Sequence, residues 1–320
     1  MAEEVDRLPA VETKTVNLAD DGAASRAARR KCEIERPESG RSKKHANHGS
    51  LSRGGGQRTS TAVADLFDMK ARALRRDRAV RTGVELFLYE RAFDDCLQRL
   101  SLVQRKFHRA LLIGSPDPAW PERLRLFAPK VEIRDPGPLI ARAAGGEILV
   151  EDAWEAPDAA FDLVLAAGTL DTVNDLPLAL RLLRHAMKNG ALFLGAMSGG
   201  DTLPKLRNAM RAADAADGAA APHVHPRIEP AALAPLLQSA GFVDPVVDVD
   251  RASVTYSSFK RLIGDLRAMG ATNVLANRPR LISRAAFSAA ISAFAAAGEG
   301  SRTVEKFEIL HFAAWSPNNG

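Results

Sequence analysis

Residues 110–118 read Ala-Leu-Leu-Ile-Gly-Ser-Pro-Asp-Pro, a short apolar run that stops at a glycine and a turn. A buried strand that turns sharply into a helix is typical of the first unit of a parallel α/β sheet. Apolar segments of strand length then alternate with segments of helical periodicity along the chain. The predicted strands are residues 110–113, 131–133, 148–150, 162–165, 191–197, 246–250 and 304–315.

Helical periodicity fills the intervals between these strands. The predicted helices are residues 84–103, 120–127, 138–144, 176–188, 202–214, 231–240, 257–269 and 283–297. Asn189-Gly190 is a good helix C-terminal signal and is expected to end the fourth of them. Near-continuous apolar strands separated by helices imply a parallel sheet covered on both faces, with right-handed crossovers. We therefore predict a doubly wound α/β fold that ends in an antiparallel C-terminal edge pair.

The composition sets limits on the class of protein. The chain has 320 residues, 46% of them hydrophobic, and a formal charge of +5. Its two cysteines, Cys32 and Cys96, give no disulfide framework and no thiolate metal cluster. No apolar run approaches the length that crosses a bilayer. We expect a cytoplasmic protein without stable membrane insertion.

The chain divides into three parts. Residues 1–62 are polar and basic without periodic apolar positions, which predicts a disordered basic tail. Residues 63–104 form an N-terminal helical segment, and residues 105–317 form the main domain. The alternative for the tail is a basic arm on nucleic acid or membrane, but we expect no nucleic-acid binding. The arginines of residues 70–81 are interpreted as a solvated helix face, with a binding surface as the alternative.

Acidic side chains follow the second and third strands. In doubly wound sheets, ligands bind at the carboxyl ends of the strands near the switch in strand order. Gly114 follows strand one, Asp135 follows strand two, and Glu151 and Asp152 follow strand three. Glycine lets the backbone approach a nucleotide closely, and a carboxylate after strand two can accept both ribose hydroxyls.

The loop after Gly114 departs from a nucleotide-binding loop. Pro116 and Pro118 lack the backbone N–H groups that such a loop presents to its ligand. Asp117 is instead suited to cap the next helix, with Pro118 at its first position. A capped turn without any ligand is therefore a real alternative.

Other candidate sites are weaker. His223 and His225, with Asp201, could form a two-histidine, one-carboxylate iron site, but loop histidines are more often simply exposed. We predict no metal site. Cys96 lies on the apolar side of a predicted helix, where a buried structural thiol is expected. No nucleophilic triad is evident, and we assign no catalytic residue.

Several segments carry a family resemblance. They include Asn174-Asp175-Leu176-Pro177, Gly195-Ala196-Met197, Gly199-Gly200-Asp201-Thr202-Leu203, Arg76-Asp77-Arg78-Ala79, Pro222-His223-Val224, Met269-Gly270 and Asn277-Arg278. This pattern resembles the methyltransferase-like complex I assembly factors of mitochondria and their α-proteobacterial relatives. The matches run from about Phe67 to the C-terminus.

The resemblance implies a seven-stranded class I methyltransferase fold, of the Rossmann-like type, that binds S-adenosylmethionine. By this carry-over, Gly114 matches the first glycine of the family loop, Asp135 the ribose-binding acid, and Asp152-Ala153 the pair beside the adenine. The chain departs from the family in its proline-containing loop and at Asp171-Thr172, where the family has a His-Trp pair.

Three functions follow from the resemblance. The leading one is an S-adenosylmethionine-dependent methyltransferase, since methyl transfer from a sulfonium depends mainly on positioning and needs little acid or base. The second is a complex I assembly factor that hydroxylates or chaperones an arginine-bearing subunit, which would be its protein partner. The third is a pseudo-methyltransferase that only binds. The methyl acceptor and the oligomeric state stay open.

Overall fold

The computed structural model describes residues 65–318, with the exception of residues 84 and 280. The predicted tail over residues 1–62 lies outside these described residues. The described part begins just before the first helix and ends after the last strand of the sheet.

Seven strands form one sheet. They are β1 (Arg109–Ile113), β2 (Lys130–Asp135), β3 (Glu147–Ile148), β4 (Phe161–Ala167), β5 (Met187–Ser198), β6 (Val243–Tyr256) and β7 (Thr303–Trp315). Their order is β3-β2-β1-β4-β5-β7-β6. Strands β1 to β5 pair in parallel, and β7 runs antiparallel to both β5 and β6. The predicted doubly wound sheet with an antiparallel C-terminal edge pair is confirmed.

Helices connect the strands much as the periodicity predicts. They are α1 (Met69–Thr82), α2 (Phe87–Leu102), α3 (Trp120–Arg125), α4 (Pro138–Ala143), α5 (Leu176–Ala186), α6 (Pro204–Asp217), α7 (Pro230–Ser239), α8 (Phe259–Ala268) and α9 (Arg284–Ala296). Among the described residues, no helix combines the length and the apolar character needed to cross a membrane.

The end of α5 differs from the prediction. The helix stops at Ala186, and Asn189-Gly190 lies inside β5. Met187 is buried and pairs with Phe161 of β4, so hydrogen bonding to the sheet takes over before the Asn-Gly pair is reached. Gly190 has φ +68°, which makes this pair an irregularity within the strand.

The central strands are buried on both faces, and their side chains alternate between two clusters. Leu111 and Val164 face the cluster formed with α5 and α7, whereas Leu112 and Leu163 face the cluster formed with α2 and α3. This alternation follows from the period of two in a strand. It fixes the register of β1 against β4, and their carboxyl ends open at the same edge of the sheet.

Candidate functional site

Gly114 ends β1 in a conformation that requires glycine. Its φ is +82°, and a Cβ atom there would lie 2.3 Å from the carbonyl oxygen of Ala167 and 2.8 Å from Cγ2 of Thr169. The backbone after β1 therefore passes directly against the backbone after β4. The sequence analysis expects the glycine to let the backbone approach a nucleotide. In the structure the glycine instead lets the end of β1 approach the end of β4.

The loop after Gly114 forms a compact turn. The Ser115 side chain is buried, and its Oγ donates to the carbonyl oxygen of Asp117 at 3.1 Å. Asp117 accepts from the backbone N–H of Ala119 at 2.8 Å. The prediction that Asp117 caps the next helix with Pro118 at its first position is wrong, because α3 begins at Trp120 with Ala119 as its N-cap, and Asp117 stabilises only the turn before it.

Asp135, at the end of β2, is completely buried and fully engaged. Its Oδ1 accepts from Nε of Arg76 at 2.8 Å and from the backbone N–H of Gly137 at 2.7 Å. Its Oδ2 accepts from Nη2 of Arg76 at 2.6 Å and from the backbone N–H of Ser115 at 3.2 Å. Both oxygens of this carboxylate are occupied by groups of the chain itself.

Arg76 reaches Asp135 from helix α1. Burial lowers the pKa of this guanidinium, but the charge and the hydrogen bonds of Asp135 outweigh burial and raise it overall. A Cβ atom on Gly137 would lie only 2.9 Å from Cβ of Arg76, so the glycine allows α1 to approach this closely. This bidentate pairing is the geometry in which arginine binds carboxylates most strongly.

A second buried pair lies one turn earlier in α1. Nη1 and Nη2 of Arg72 each donate to one oxygen of Glu151 at 2.7 Å, and Nη2 also donates to the carbonyl oxygen of Thr169 at 2.6 Å. Arg72 is 3% exposed and Glu151 is fully buried. Helix α1 therefore covers the acids that follow β2 and β3 and pairs each of them with an arginine.

The other two predicted binding residues lie outside this arrangement. Asp152 is half-buried, and its Oδ2 accepts from the backbone N–H of Asp175 at 2.9 Å, at the start of α5. Ala153 is exposed in the turn after β3. The structure thus brings Gly114, Asp135 and Glu151 to one edge and leaves Asp152 and Ala153 towards the surface.

The arginines of α1 correct one prediction. Arg72 and Arg76 were expected on a solvated helix face, but both are buried in ion pairs. Their spacing of four residues, which puts them on one side of a helix, was the only signal for this in the sequence. Their partners are 79 and 59 residues away in the chain.

A polar cleft of about 60 Å³ opens beside these pairs, at the ends of β4 and β5. Arg72 and Arg76 form one side, and Tyr89 and the ion pair of Asp171 with Arg227 form another. The Tyr89 hydroxyl donates to the carbonyl oxygen of Met269 at 3.2 Å. An adjoining cleft of about 70 Å³ is mainly apolar. Asp171, one of the residues that depart from the family pattern, thus lines the candidate site.

The two histidines of the 223–225 loop are not brought together as ligands. Nε2 of His223 lies 2.7 Å from Oδ1 of Asp214. Nε2 of His225 accepts from the backbone N–H of Val274 at 2.9 Å, inside the protein. Burial, followed by the charge of Arg227, lowers the pKa of His225 to about 4. Within residues 65–318 as described, no cluster of three or more potential metal ligands occurs.

The arrangement at Asp135 does not fit S-adenosylmethionine. A ribose would donate its hydroxyl groups to the oxygens of this carboxylate, but both oxygens already form an ion pair with Arg76. The loop after Gly114 also presents two prolines, Pro116 and Pro118, where N–H donors would be needed. The cofactor fits this edge only if Arg76 leaves Asp135.

Comparison with known proteins gives two groups of relatives. The chain is 35% identical over 162 residues to the mitochondrial arginine-hydroxylase NDUFAF5 of Danio rerio, covering 50% of each chain. It is 32% identical over 164 residues to the malonyl-[acyl-carrier protein] O-methyltransferase of Xylella fastidiosa, covering 51% of this chain and 54% of the relative. The chain thus spans about half the length of these curated relatives. No protein-family model matches it.

Among solved structures, the N-methyltransferase NodS of Bradyrhizobium japonicum, in complex with S-adenosylhomocysteine, is 14% identical with a TM-score of 0.44. The superposition covers 78% of this chain and 100% of NodS. The strand order β3-β2-β1-β4-β5-β7-β6 and the sequence similarity to these relatives both indicate a methyltransferase-like fold. The chain therefore has a methyltransferase-like fold, and over about half of its length it is similar in sequence both to NDUFAF5 arginine-hydroxylases and to malonyl-[acyl-carrier protein] O-methyltransferases.

Proposed function

We propose that the chain is an S-adenosylmethionine-dependent methyltransferase whose cofactor reaches the sheet only after Arg76 has released Asp135. The observation that carries this proposal is the buried carboxylate of Asp135, which ends β2 and is oriented by the backbone N–H groups of Ser115 and Gly137. An acid at this point of a doubly wound sheet is the group that recognises a ribose. The O-methyltransferases among the relatives support it.

In this proposal Gly114, Asp135, Asp152 and Ala153 contribute to cofactor binding. The polar cleft next to Arg76 and the apolar cleft beyond it would receive the methyl acceptor. The chain works in the cytoplasm, where its cysteines stay reduced.

Calorimetry tests this proposal directly. S-adenosylhomocysteine is titrated to millimolar concentration into the full chain, into Arg76→Gln, and into Asp135→Asn as the matched variant that removes the ribose acceptor charge. We expect saturable binding to the wild-type chain or to Arg76→Gln, and at least a tenfold loss of affinity when Asp135→Asn is added. Absence of binding to both the wild-type chain and Arg76→Gln, with both folded, would refute the proposal.

The second candidate function is a respiratory complex I assembly factor that acts on an arginine of a complex I subunit, as a hydroxylase or a chaperone. Two observations favour it. The acids that follow β2 and β3 are already bound by arginines of α1, and the chain is similar to arginine-hydroxylase NDUFAF5. Its partner would be a protein, and no cofactor contact at Asp135 would be required.

A complementation experiment separates the two functions. The gene is deleted in the source organism, and complex I assembly and activity are measured after return of the wild-type chain or of Asp135→Asn. The assembly-factor function predicts a complex I defect that both chains rescue. An unchanged complex I after deletion counts decisively against it.

A further inference from the structure

We infer that α1 is a built-in closure of the cofactor site, in which Arg76 and Arg72 act as internal ligands of the strand-end acids. This inference rests on the proposed function, because it concerns access of a ribose-bearing cofactor to Asp135. It adds a regulatory element: the chain controls cofactor binding through its own N-terminal helix.

The first argument is competition for the same atoms. Arg76 takes both carboxylate oxygens of Asp135, at 2.8 and 2.6 Å, and the backbone N–H groups of Gly137 and Ser115 take the remaining directions. Ribose hydroxyl groups are neutral donors, whereas the guanidinium of Arg76 adds an opposite charge and two parallel N–H···O bonds of bidentate geometry. The cofactor therefore cannot bind Asp135 alongside Arg76 and has to displace it.

The second argument concerns the acid at the end of β3. Arg72 engages both oxygens of Glu151 and the carbonyl oxygen of Thr169, which belongs to the segment after β4. One helix face thus spans the ends of β2, β3 and β4 at once. Displacing Arg76 alone leaves this second contact in place, so we expect opening of the site to involve α1 as a whole.

The third argument is that α1 is held mainly by polar contacts. The buried apolar side chains of α1 are only Ala71 and Ala79, and Ala71 packs in a small cluster with Phe67, Val274 and Leu275. The side chain of Asp77 adds a tie to α4, because its Oδ1 accepts from the backbone N–H of Leu139 at 2.8 Å. Taking two charges out of water to form a buried ion pair yields little net stability, so only a modest free energy opposes the release of α1, provided that water enters and solvates the separated charges.

The two ends of α1 differ in how firmly they are attached. At its start, the backbone N–H of Asp68 donates to the carbonyl oxygen of Val274 at 2.8 Å, and Phe67 forms a β-bridge with Leu275. At its end stands Gly83, with φ +101° and no atom within 4 Å of a Cβ placed there. Gly83 marks the point where the chain can bend between α1 and α2, so the geometry suits a displacement of α1 about this glycine that carries Arg72 and Arg76 together away from the acids.

The test compares affinity for S-adenosylhomocysteine with hydrogen exchange of α1. Arg76→Gln removes the internal ligand, and Arg75→Gln is the matched control, since it makes the same change on the same helix away from Asp135. We expect Arg76→Gln to raise the affinity at least tenfold and to speed amide exchange in α1, while Arg75→Gln changes neither. Adding S-adenosylhomocysteine to the wild-type chain should also speed exchange in α1.

A second variant guards against loss of folding in Arg76→Gln, which leaves Asp135 buried without its counter-charge. Asp77→Ala keeps both arginine pairs and removes only the tie to Leu139, so it should raise the affinity by a smaller factor. Equal, saturable affinity of the wild-type chain, Arg76→Gln and Asp77→Ala would overturn the closure, including the need for Arg76 to release Asp135, and would leave the cofactor-dependent methyltransferase function standing. Faster exchange of α1 in the variants without any binding would instead refute the proposed function.

Discussion

The buried histidine His225 makes the folded chain sensitive to mild acid. Its Nε2 accepts from the backbone N–H of Val274, and its ring meets Phe67 edge-on with centroids 5.5 Å apart. The carbonyl oxygen of Val274 in turn accepts a hydrogen bond from the backbone N–H of Asp68 at the start of α1. Protonation of Nε2 would turn this acceptor into a donor that faces another donor, which loosens the anchor of α1.

The size of the effect follows from the pKa of His225. Burial holds it at about 4 in the folded chain, against 6.5 in an unfolded one. The unfolded chain therefore binds the proton first as the pH falls. The stabilising contribution is complete above pH 6.5, is lost as the pH falls from 6.5 towards 4, and changes no further below that. Between about pH 7.5 and about pH 4.5 the loss is roughly 2–3 kcal/mol.

The assay is urea unfolding at a series of pH values for the wild-type chain, His225→Gln and the exposed-histidine control His185→Gln. Glutamine keeps an oxygen near the position of Nε2 but does not titrate. We expect the difference in free energy of unfolding between the wild-type chain and His225→Gln to shift by roughly 2–3 kcal/mol in favour of the variant as the pH falls from about 7.5 to about 4.5. A difference that stays within about 0.5 kcal/mol over that range would refute the buried neutral histidine. His185→Gln should follow the wild-type chain.

Two further predictions concern the sheet and its cover. Gly114→Ala should lower the free energy of unfolding, measured in urea, by about 1–3 kcal/mol. The reason is that its Cβ would lie 2.3 Å from the carbonyl oxygen of Ala167. A change below about 0.5 kcal/mol would contradict the close approach of the two strand ends. Burial raises the pKa of Cys96 to about 12, so a chain carrying Cys32→Ser should react with thiol reagents at a rate lowered roughly a thousandfold until denaturant unfolds it. Rapid labelling of the folded chain would show that the thiol is accessible.

The sheet was predictable because its signals are local. Strand β4 consists of buried apolar residues except for Asp162, and its pattern in the sequence is continuous. The edge strand β6 was harder: the prediction covered residues 246–250, while the strand runs from Val243 to Tyr256. The residues that the prediction missed at both ends join the strand by pairing with β7, a contact distant in the chain that the local pattern does not show.

The contacts of the candidate site were less predictable than its position. Topology alone places Asp135 at the end of β2, since acids after parallel strands meet at one edge of a sheet. The arginine that binds it comes from a helix outside the sheet, 59 residues earlier in the chain. A basic helix looks the same in a sequence whether its arginines are solvated or buried, because only the tertiary contact distinguishes the two states.

The buried charge at Asp135 connects these observations. A carboxylate that is fully removed from water costs several kcal/mol unless a positive group or a set of donors compensates it. In the described conformation Arg76 supplies the charge, and Ser115 and Gly137 supply the neutral donors. A ribose would supply only neutral donors, so an incoming cofactor that displaced Arg76 would also have to compensate the lost charge or admit water to the site. On the function proposed above, cofactor affinity at this edge would therefore depend on the position of α1 as well as on the acid itself.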